Sequence, residues 1–340
     1  MTGKERFILT LQGKAVDRRP FVPILCMYGA KLIGVTLDRY YREPALYAAG
    51  QAAVVERFSV DALISPLFYS GEGEAFGSKL RFHEFMPPNI KKMAVSSAKD
   101  YIKLGFPDIE TNPTLAYMRQ SLRMTAKRCG NDVSVGGILS NPVDLPSLAM
   151  GIDGWIDALL FQKELLNEIF ERTVEFFVSW GRALLSEGAT FLVSSGGFLN
   201  STTVTQEMVE NTISPVLKKA YAAINAPIVI HDGGGSILPF LDVYKGLPNV
   251  VALYSASPKD NLQEARRLVG CDNTLVGGLD GPTLDKLGRE DIYNRCRAIL
   301  EDRKDDRFFM LGTSGPDIPL STPPENILAM LQAVTEAGCM

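Results

Sequence analysis

The sequence predicts a single (β/α)8 barrel, on three observations. Eight short apolar or β-branched runs recur along the 340 residues, and segments with apolar residues at three- and four-residue spacing lie between nearly all of them. The run 228–230 ends abruptly on His231, Asp232 and the glycines 233–235. Strands that are apolar on both faces and alternate with helices form parallel sheets, and eight of them favour a closed barrel over an open doubly wound sheet. Since barrels reach this length, we interpret residues 1–340 as one domain.

The predicted strands and helices alternate along the chain. The strand-like runs are 21–27, 62–68, 133–139, 190–194, 227–231, 250–255, 274–279 and 308–312. The helical segments are 44–58, 117–128, 155–187, 206–224, 237–244, 258–269, 289–303 and 324–337. Thr203 with Gln206 predicts a capping box, and Ser257 before Pro258 predicts another helix start.

Two segments lie outside this alternation. Thr2 with Glu5 forms a capping-box pattern, and Gly13 is a typical helix stop. Together they predict a short helical extension before the first strand. The long connection 69–131 after the second strand predicts an excursion over the barrel mouth, with Gly71, Gly73 and Gly77 in its turns and the pair 87–88, both proline, interrupting helix.

Composition points to a small-molecule partner. The net charge is −4, the isoelectric point is near 5.5 and basic residues form no long run, which argues against nucleic acid and an anionic membrane. No long uncharged apolar stretch suits a membrane span, and the amino terminus lacks the features of a signal peptide. Five cysteines with no close pair argue against a disulfide framework and a zinc knuckle, so we expect a cytoplasmic protein.

The candidate site lies where the strands end, because the carboxyl ends of barrel strands converge on one mouth. The polar residues expected there are Tyr69, Glu72, Glu74, Ser140, Asn141, Ser194, Ser195, His231, Asp232, Ser255, Asp280, Thr313, Ser314 and Asp317. Such a set is suited to acid/base or metal-assisted chemistry.

Each of the principal candidates has a structural alternative. His231 could hydrogen-bond a neighbouring loop, and Asp232 could cap the helix near residue 237. Glu72 and Glu74 would share a face if the local backbone is extended, or be solvated in a glycine-rich turn. Asp280 could serve as an Asx-turn residue.

Several motifs resemble the uroporphyrinogen decarboxylase superfamily, and the resemblance covers essentially the whole chain. They are Asp17-Arg18-Arg19-Pro20, Asp61-Ala62, Glu72-Gly73-Glu74-Ala75-Phe76-Gly77, Ser186-Glu187-Gly188-Ala189, Ile230-His231-Asp232-Gly233 and Pro324-Glu325-Asn326. The resemblance implies a (β/α)8 barrel and one of two chemistries, uroporphyrinogen decarboxylation or methyl transfer with a corrinoid. The segment 72–77 is similar to the Glu-Ala-Glu-Ala-Leu-Gly of the methyltransferase branch.

The chain departs from the decarboxylase pattern. The arginine-rich Arg-Gln-Ala-Gly-Arg segment of that branch falls on residues 25–29, which contain no arginine. Its essential aspartate falls on Phe68. The resemblance therefore argues against uroporphyrinogen as the substrate.

The chain also departs from the branch that methylates thiols. That branch binds zinc through His-x-Cys and a distant Gly-Cys-Gly turn, and the matching positions here are His231, Gly233 and Ser314. Two ligands are therefore replaced. An oxygen-rich zinc site built from His231 and Glu210, or completed by Asp232 or the Glu72 and Glu74 carboxylates, is left open.

The resemblance and these departures together predict a methyltransferase. It would move a methyl group between a corrinoid, such as methylcobalamin on a corrinoid-binding partner protein, and a small non-thiol substrate such as a methoxylated aromatic or a methylated amine. A homodimer is the family-level expectation. Expected catalytic residues are His231, Asp232, Glu72 and Glu74, substrate-binding residues are Tyr69, Asn141, Ser195, Asp280 and Ser314, and metal ligands, if zinc is bound, are His231 and Glu210. The alternatives are a lyase acting on another acid and a ligand-binding barrel without catalysis.

Overall fold

The eight predicted strands form one parallel sheet that curves into a barrel. The computed structural model describes residues 1–255 and 260–338. The barrel strands are β1 (Phe21–Val22), β2 (Ala62–Ser65), β5 (Ser134–Ser140), β6 (Phe191–Ser195), β7 (Ile228–His231), β8 (Val250–Tyr254), β9 (Thr274–Asp280) and β10 (Phe309–Ser314). Their order is β1-β10-β9-β8-β7-β6-β5-β2, and the Asp61 backbone N–H donates to the Phe21 carbonyl at 2.9 Å across the two ends. The predicted barrel is confirmed, and each strand overlaps a predicted run.

Helices surround this barrel. They are α1 (Gly3–Leu11), α2 (Tyr28–Leu32), α3 (Leu37–Tyr40), α4 (Pro44–Phe58), α5 (Tyr69–Ala75), α6 (Ala98–Lys103), α7 (Pro113–Cys129), α8 (Leu145–Met150), α9 (Ile152–Phe161), α10 (Lys163–Ser186), α11 (Gln206–Met208), α12 (Ser214–Ala222), α13 (Leu241–Tyr244), α14 (Leu262–Val269), α15 (Arg289–Asp302) and α16 (Pro324–Ala337). A π-helical turn, Val209–Ile213, joins α11 to α12. Within the described ranges, no helix is long and apolar enough to cross a membrane.

Some predicted helix boundaries are wrong. The segment 155–187 is two helices, because the backbone leaves the helical region at Gln162 between α9 and α10. Thr203 is not the cap of the helix that begins at Gln206. The cap is Thr205, whose hydroxyl accepts the Met208 N–H. The start predicted at Ser257 and Pro258 lies outside the described residues.

The amino-terminal helix closes one end of the barrel. The predicted capping box is confirmed, since Thr2 accepts the Glu5 N–H and the Glu5 side chain accepts the Thr2 N–H. The Phe7 ring stacks on Phe191 with centroids 4.9 Å apart, and Arg6 forms an ion pair with the buried Asp61. Apolar side chains fill the interior above them and leave a space of only about 20 Å³. Larger cavities lie at the opposite end of the barrel, where the strands finish.

The excursion after β2 folds differently from the prediction. Gly71 and Gly73 lie inside α5 rather than in turns, and an antiparallel hairpin, β3 (Lys79–Arg81) and β4 (Asn89–Lys92), follows. A Cβ on Gly71 would lie 2.8 Å from the Phe68 ring, and one on Gly73 would lie 2.7 Å from the Leu148 carbonyl. These glycines therefore permit close packing of α5, whereas Gly77 has the left-handed φ of 103° that ends it.

Candidate functional site

Two adjoining cavities occupy the mouth of the barrel. The inner cavity has a volume of about 220 Å³ and is lined by Tyr69, Ser140, Asp144, Leu148, Ser195, Gly196, Gly197, His231, Gly233 and Pro316. The outer one has about 400 Å³ and is lined by Met27, Leu67, Phe68, Tyr69, Ser70, Met86, Pro87, Pro88, Asn89, Ile90, Leu148, Pro316 and Asp317. They share Tyr69, Leu148 and Pro316 and therefore lie next to each other at the strand ends.

His231 lies at the end of β7 on the same rung of the barrel as Ser195 and Ser140. Its Nδ1 accepts the Gly233 backbone N–H at 3.0 Å and lies 3.1 Å from the Ser195 hydroxyl. An imidazole nitrogen that accepts a hydrogen bond carries no proton, so the proton of the neutral ring is on Nε2. Within residues 1–255 and 260–338, Nε2 has no hydrogen-bond partner although the side chain is only 3% exposed.

The electrostatics keep His231 neutral. Burial lowers its pKa from 6.5, whereas the Asp232 carboxyl and the nearby Gly315 backbone act in the opposite direction. The ring also packs against Tyr254 with centroids 4.6 Å apart. The site therefore presents an imidazole N–H donor in a cavity rather than an imidazolium.

Asp232 stabilises the turn that follows β7. Its Oδ1 accepts the Gly234 N–H at 2.9 Å, and its Oδ2 has no partner in the described part of the chain. It does not cap the helix near residue 237, so that alternative is wrong. Gly233 has a φ of 63°, and a Cβ there would lie 2.4 Å from the Gly196 carbonyl. A glycine is required at this position on both grounds.

Asp144 is a cavity residue that the sequence reasoning missed. It lines the inner cavity and accepts hydrogen bonds from the Asn141 amide and from the Phe198 N–H at 3.1 Å. Burial raises its pKa to about 7. The signal was present, because Asp144 follows β5 in the same polar loop as Asn141. Asn141 itself uses its amide oxygen on the Val143 and Asp144 N–H groups, so it positions this loop.

Glu72 and Glu74 do not form a pair. They lie in α5, and a two-residue separation on a helix directs side chains to different sides, so the expected shared face is wrong. Glu72 is buried, accepts the Ser140 N–H at 3.1 Å and the Trp180 indole N–H at 3.3 Å, and burial raises its pKa to about 8. Glu74 accepts the Thr114 hydroxyl at 2.8 Å and lines a separate cavity.

The other expected binding residues differ in position. Tyr69 and Ser195 line the inner cavity, and burial raises the pKa of the Tyr69 hydroxyl. Ser314 donates to Asp280 at 3.0 Å, and the two face each other across β10 and β9 without lining either cavity. Asp317 lines the outer cavity, where burial raises its pKa.

The residues at the expected zinc site do not fit zinc. Glu210 is exposed and accepts the Gln206 amide at 2.7 Å, outside the cavity. A zinc-bound histidine coordinates through one nitrogen and donates from the other, whereas Nδ1 of His231 faces the N–H of Gly233. Among the described residues, no group of three or more His, Cys, Asp or Glu side chains could hold a metal ion.

Comparisons with known proteins agree with this architecture. A family model described as uroporphyrinogen decarboxylase (URO-D) matches residues 2–337. The methylated-thiol–coenzyme M methyltransferase of Methanosarcina mazei is 21% identical over 343 residues, covering 99% of this chain and 90% of that protein.

Two solved structures share the fold. A methyltransferase from Methanosarcina mazei superposes with a TM-score of 0.85 at 18% identity, over 99% of both chains. A B12-independent methionine synthase from Shewanella sp. W3-18-1 has a TM-score of 0.55 at 11% identity, covering 94% of this chain and 97% of that one.

Proposed function

Because the chain belongs to the uroporphyrinogen decarboxylase family, we propose that it is a methyltransferase that moves a methyl group between a small non-thiol substrate and a corrinoid on a partner protein. Its similarity to the methylated-thiol–coenzyme M methyltransferase over 99% of the chain supports the methyltransferase branch. The observation that carries the choice of substrate is the Nε2–H of His231, which has no partner among the described residues and lies in a cavity where those residues do not form a thiol-activating zinc site.

The cavity argues against uroporphyrinogen as the substrate. That molecule carries several carboxylates, and in the described part of the chain no lysine or arginine lines the inner or outer cavity. Phe68, at the position of the decarboxylase aspartate, is buried between Tyr41 and Tyr117, with ring centroids 5.4 and 5.8 Å away. A carboxylate is therefore absent where decarboxylation would need it.

The side chains of the inner cavity have distinct roles in this proposal. The Nε2–H of His231 donates to an acceptor atom of the substrate, and Tyr69 and Ser195 complete the polar wall. Asp144 provides a second titratable group whose pKa of about 7 suits proton exchange at neutral pH. Asp232 is a positioning residue, because it stabilises the turn that directs Gly233 toward His231.

The rim of the outer cavity suits an approaching protein. Met86, Pro87 and Pro88 line it, Met86 is 55% exposed and the adjacent Phe85 is 71% exposed. Exposed apolar residues grouped around a cavity mark protein interaction sites. The cobalt of a docked corrinoid would accept or supply the methyl group, while the cavity orients the substrate and excludes water.

The test is a corrinoid assay. Purified protein is mixed with reduced cobalamin and a panel of methoxylated aromatics and methylated amines, and methylation of cobalt is followed in the visible spectrum. We expect methylation with at least one class, and loss of most of the rate in His231→Ala. Asp153→Asn, an exposed substitution on α9, serves as the control. No spectral change with any compound, including in reverse from methylcobalamin, would contradict the proposal.

A further inference from the structure

We infer that the substrate bound at the mouth of the barrel is a cation, namely a quaternary ammonium compound that also carries an oxygen acceptor. The inference rests on the proposed methyl transfer. The first observation is the charge of the lining. Asp144 and Asp317 are the ionisable carboxyls of the two adjoining cavities, and no lysine or arginine lines either cavity within the described ranges.

These carboxyls have neutral partners. The hydrogen-bond donors to Asp144 are the Asn141 amide and the Phe198 N–H. The donors to Asp317 are the backbone N–H groups of Met27, at 2.7 Å, and Ile318, at 3.0 Å. Neither carboxyl forms an ion pair in the described part of the chain.

A third acid, Asp232, follows His231 directly and accepts the Gly234 N–H at 2.9 Å. Asp144, Asp317 and Asp232 are each less than a tenth exposed. A buried carboxyl without a counter-charge favours its protonated form, and a ligand cation would stabilise the carboxylate forms of Asp144 and Asp317 in a way that these neutral donors do not.

An independent observation indicates where the oxygen of the ligand would bind. The His231 side chain is 3% exposed and lines the inner cavity, and its Nε2–H has no acceptor among the described residues. An unpaired buried donor is satisfied by a ligand oxygen. The aromatic side chains of Tyr69 and Phe68 line the same pair of cavities and suit an alkylammonium group, whose charge is attracted to ring faces.

The proposed reaction balances without a proton. The bond between nitrogen and the methyl carbon breaks, its electron pair stays on nitrogen, and a neutral tertiary amine leaves. The cobalt(I) of the partner's corrinoid supplies both electrons of the new carbon–cobalt bond and becomes methylcobalt(III). The positive charge that held the substrate near Asp144 and Asp317 is lost from the product amine, which favours its release.

The test compares two ligands of nearly the same shape by isothermal titration calorimetry, without a corrinoid. Choline carries the ammonium charge, and 3,3-dimethylbutan-1-ol replaces that nitrogen with carbon. We expect choline to bind wild-type protein more than about tenfold more tightly, a difference of about 1.4 kcal/mol. Asp144→Asn should reduce this preference to less than about threefold, whereas the exposed Asp153→Asn should retain it.

Equal affinity for the two ligands, or no binding of choline, would overturn the inference, and the wild-type comparison gives this answer even if Asp144→Asn fails to fold. The outcome is separate from that of the proposed function. If neutral methoxylated compounds methylate cobalt and choline is not preferred, the proposed methyl transfer holds and the cationic substrate is ruled out. If choline is preferred but no compound methylates a corrinoid, the cation site holds and the proposed methyl transfer is ruled out.

Discussion

The backbone N–H of Gly233 donates to Nδ1 of His231 at 3.0 Å. This hydrogen bond closes within the turn after β7, in which Gly233 has a φ of 63°. Because Nδ1 is thereby an acceptor, the tautomer and the direction of the free N–H of His231 are set by the protein backbone.

The first prediction concerns that tautomer. Nitrogen-15 NMR of the imidazole rings should show His231 as the neutral Nε2–H form, remaining neutral below pH 6.5 because burial lowers its pKa. The chain has two histidines, so His83→Gln assigns the signals. An Nδ1–H form, or protonation above pH 6.5, would contradict the hydrogen-bond scheme.

The second prediction concerns Glu72. Its pKa is raised from 4.5 to about 8, so the folded protein retains a proton that the unfolded chain loses above pH 4.5. The stability that this group contributes is complete below pH 4.5 and declines as the pH rises toward 8, by at most about 1.4 kcal/mol per pH unit. Glu72→Gln retains an acceptor for Ser140 and should lack this decline.

Thermal or urea denaturation between pH 5 and 8 measures the effect. The stability of Glu72→Gln relative to wild type should increase with pH, whereas Glu56→Gln, an exposed substitution on α4, should follow the wild-type curve. Parallel curves for Glu72→Gln and wild type would show that Glu72 is ionised in the folded protein.

The third prediction uses adjacent glycines. A Cβ on Gly196 would lie 2.1 Å from the Asp144 carboxyl carbon, whereas one on Gly197 would lie 3.8 Å from its oxygen. Gly196→Ala should therefore displace Asp144, cost about 1–3 kcal/mol of stability and weaken ligand binding. Gly197→Ala should be close to wild type in a melting experiment. Equal stability of the two variants would refute the packing around Asp144.

The fourth prediction concerns the closed end of the barrel. Asp61 accepts from Arg6, Arg18 and the Phe21 N–H and is 1% exposed. Asp61→Asn removes the counter-ion of Arg18 and one of the two counter-ions of Arg6, which keeps Asp17, and should cost about 3–5 kcal/mol in urea denaturation. Glu43→Gln removes an exposed pair with Arg39 and should cost at most about 0.5 kcal/mol. Comparable losses would mean that the buried pair contributes no more than a surface one.

Much of the fold could be predicted because it depends on local patterns. Burial on both faces gives a continuous apolar run, so eight such runs indicated eight strands. The ends of those runs also indicated Tyr69, Ser195 and His231, because parallel strands present their carboxyl ends at one mouth. The capping box at Thr2 and Glu5 is equally local.

The errors arose where distant packing decides local conformation. Gly71 and Gly73 are common turn residues, but here they allow α5 to approach Phe68 and Leu148, and this helix separates Glu72 from Glu74. No spacing rule contains that information.

The sequence by itself determined the barrel, the helix before its first strand and the strand whose end carries the histidine, because capping and hydrophobic periodicity are properties of short segments. Only the tertiary structure decided which nitrogen of His231 is free and that Asp144 joins it in one cavity. Those properties depend on hydrogen bonds and burial among residues from different strands and loops, and such contacts exist only after the chain has folded.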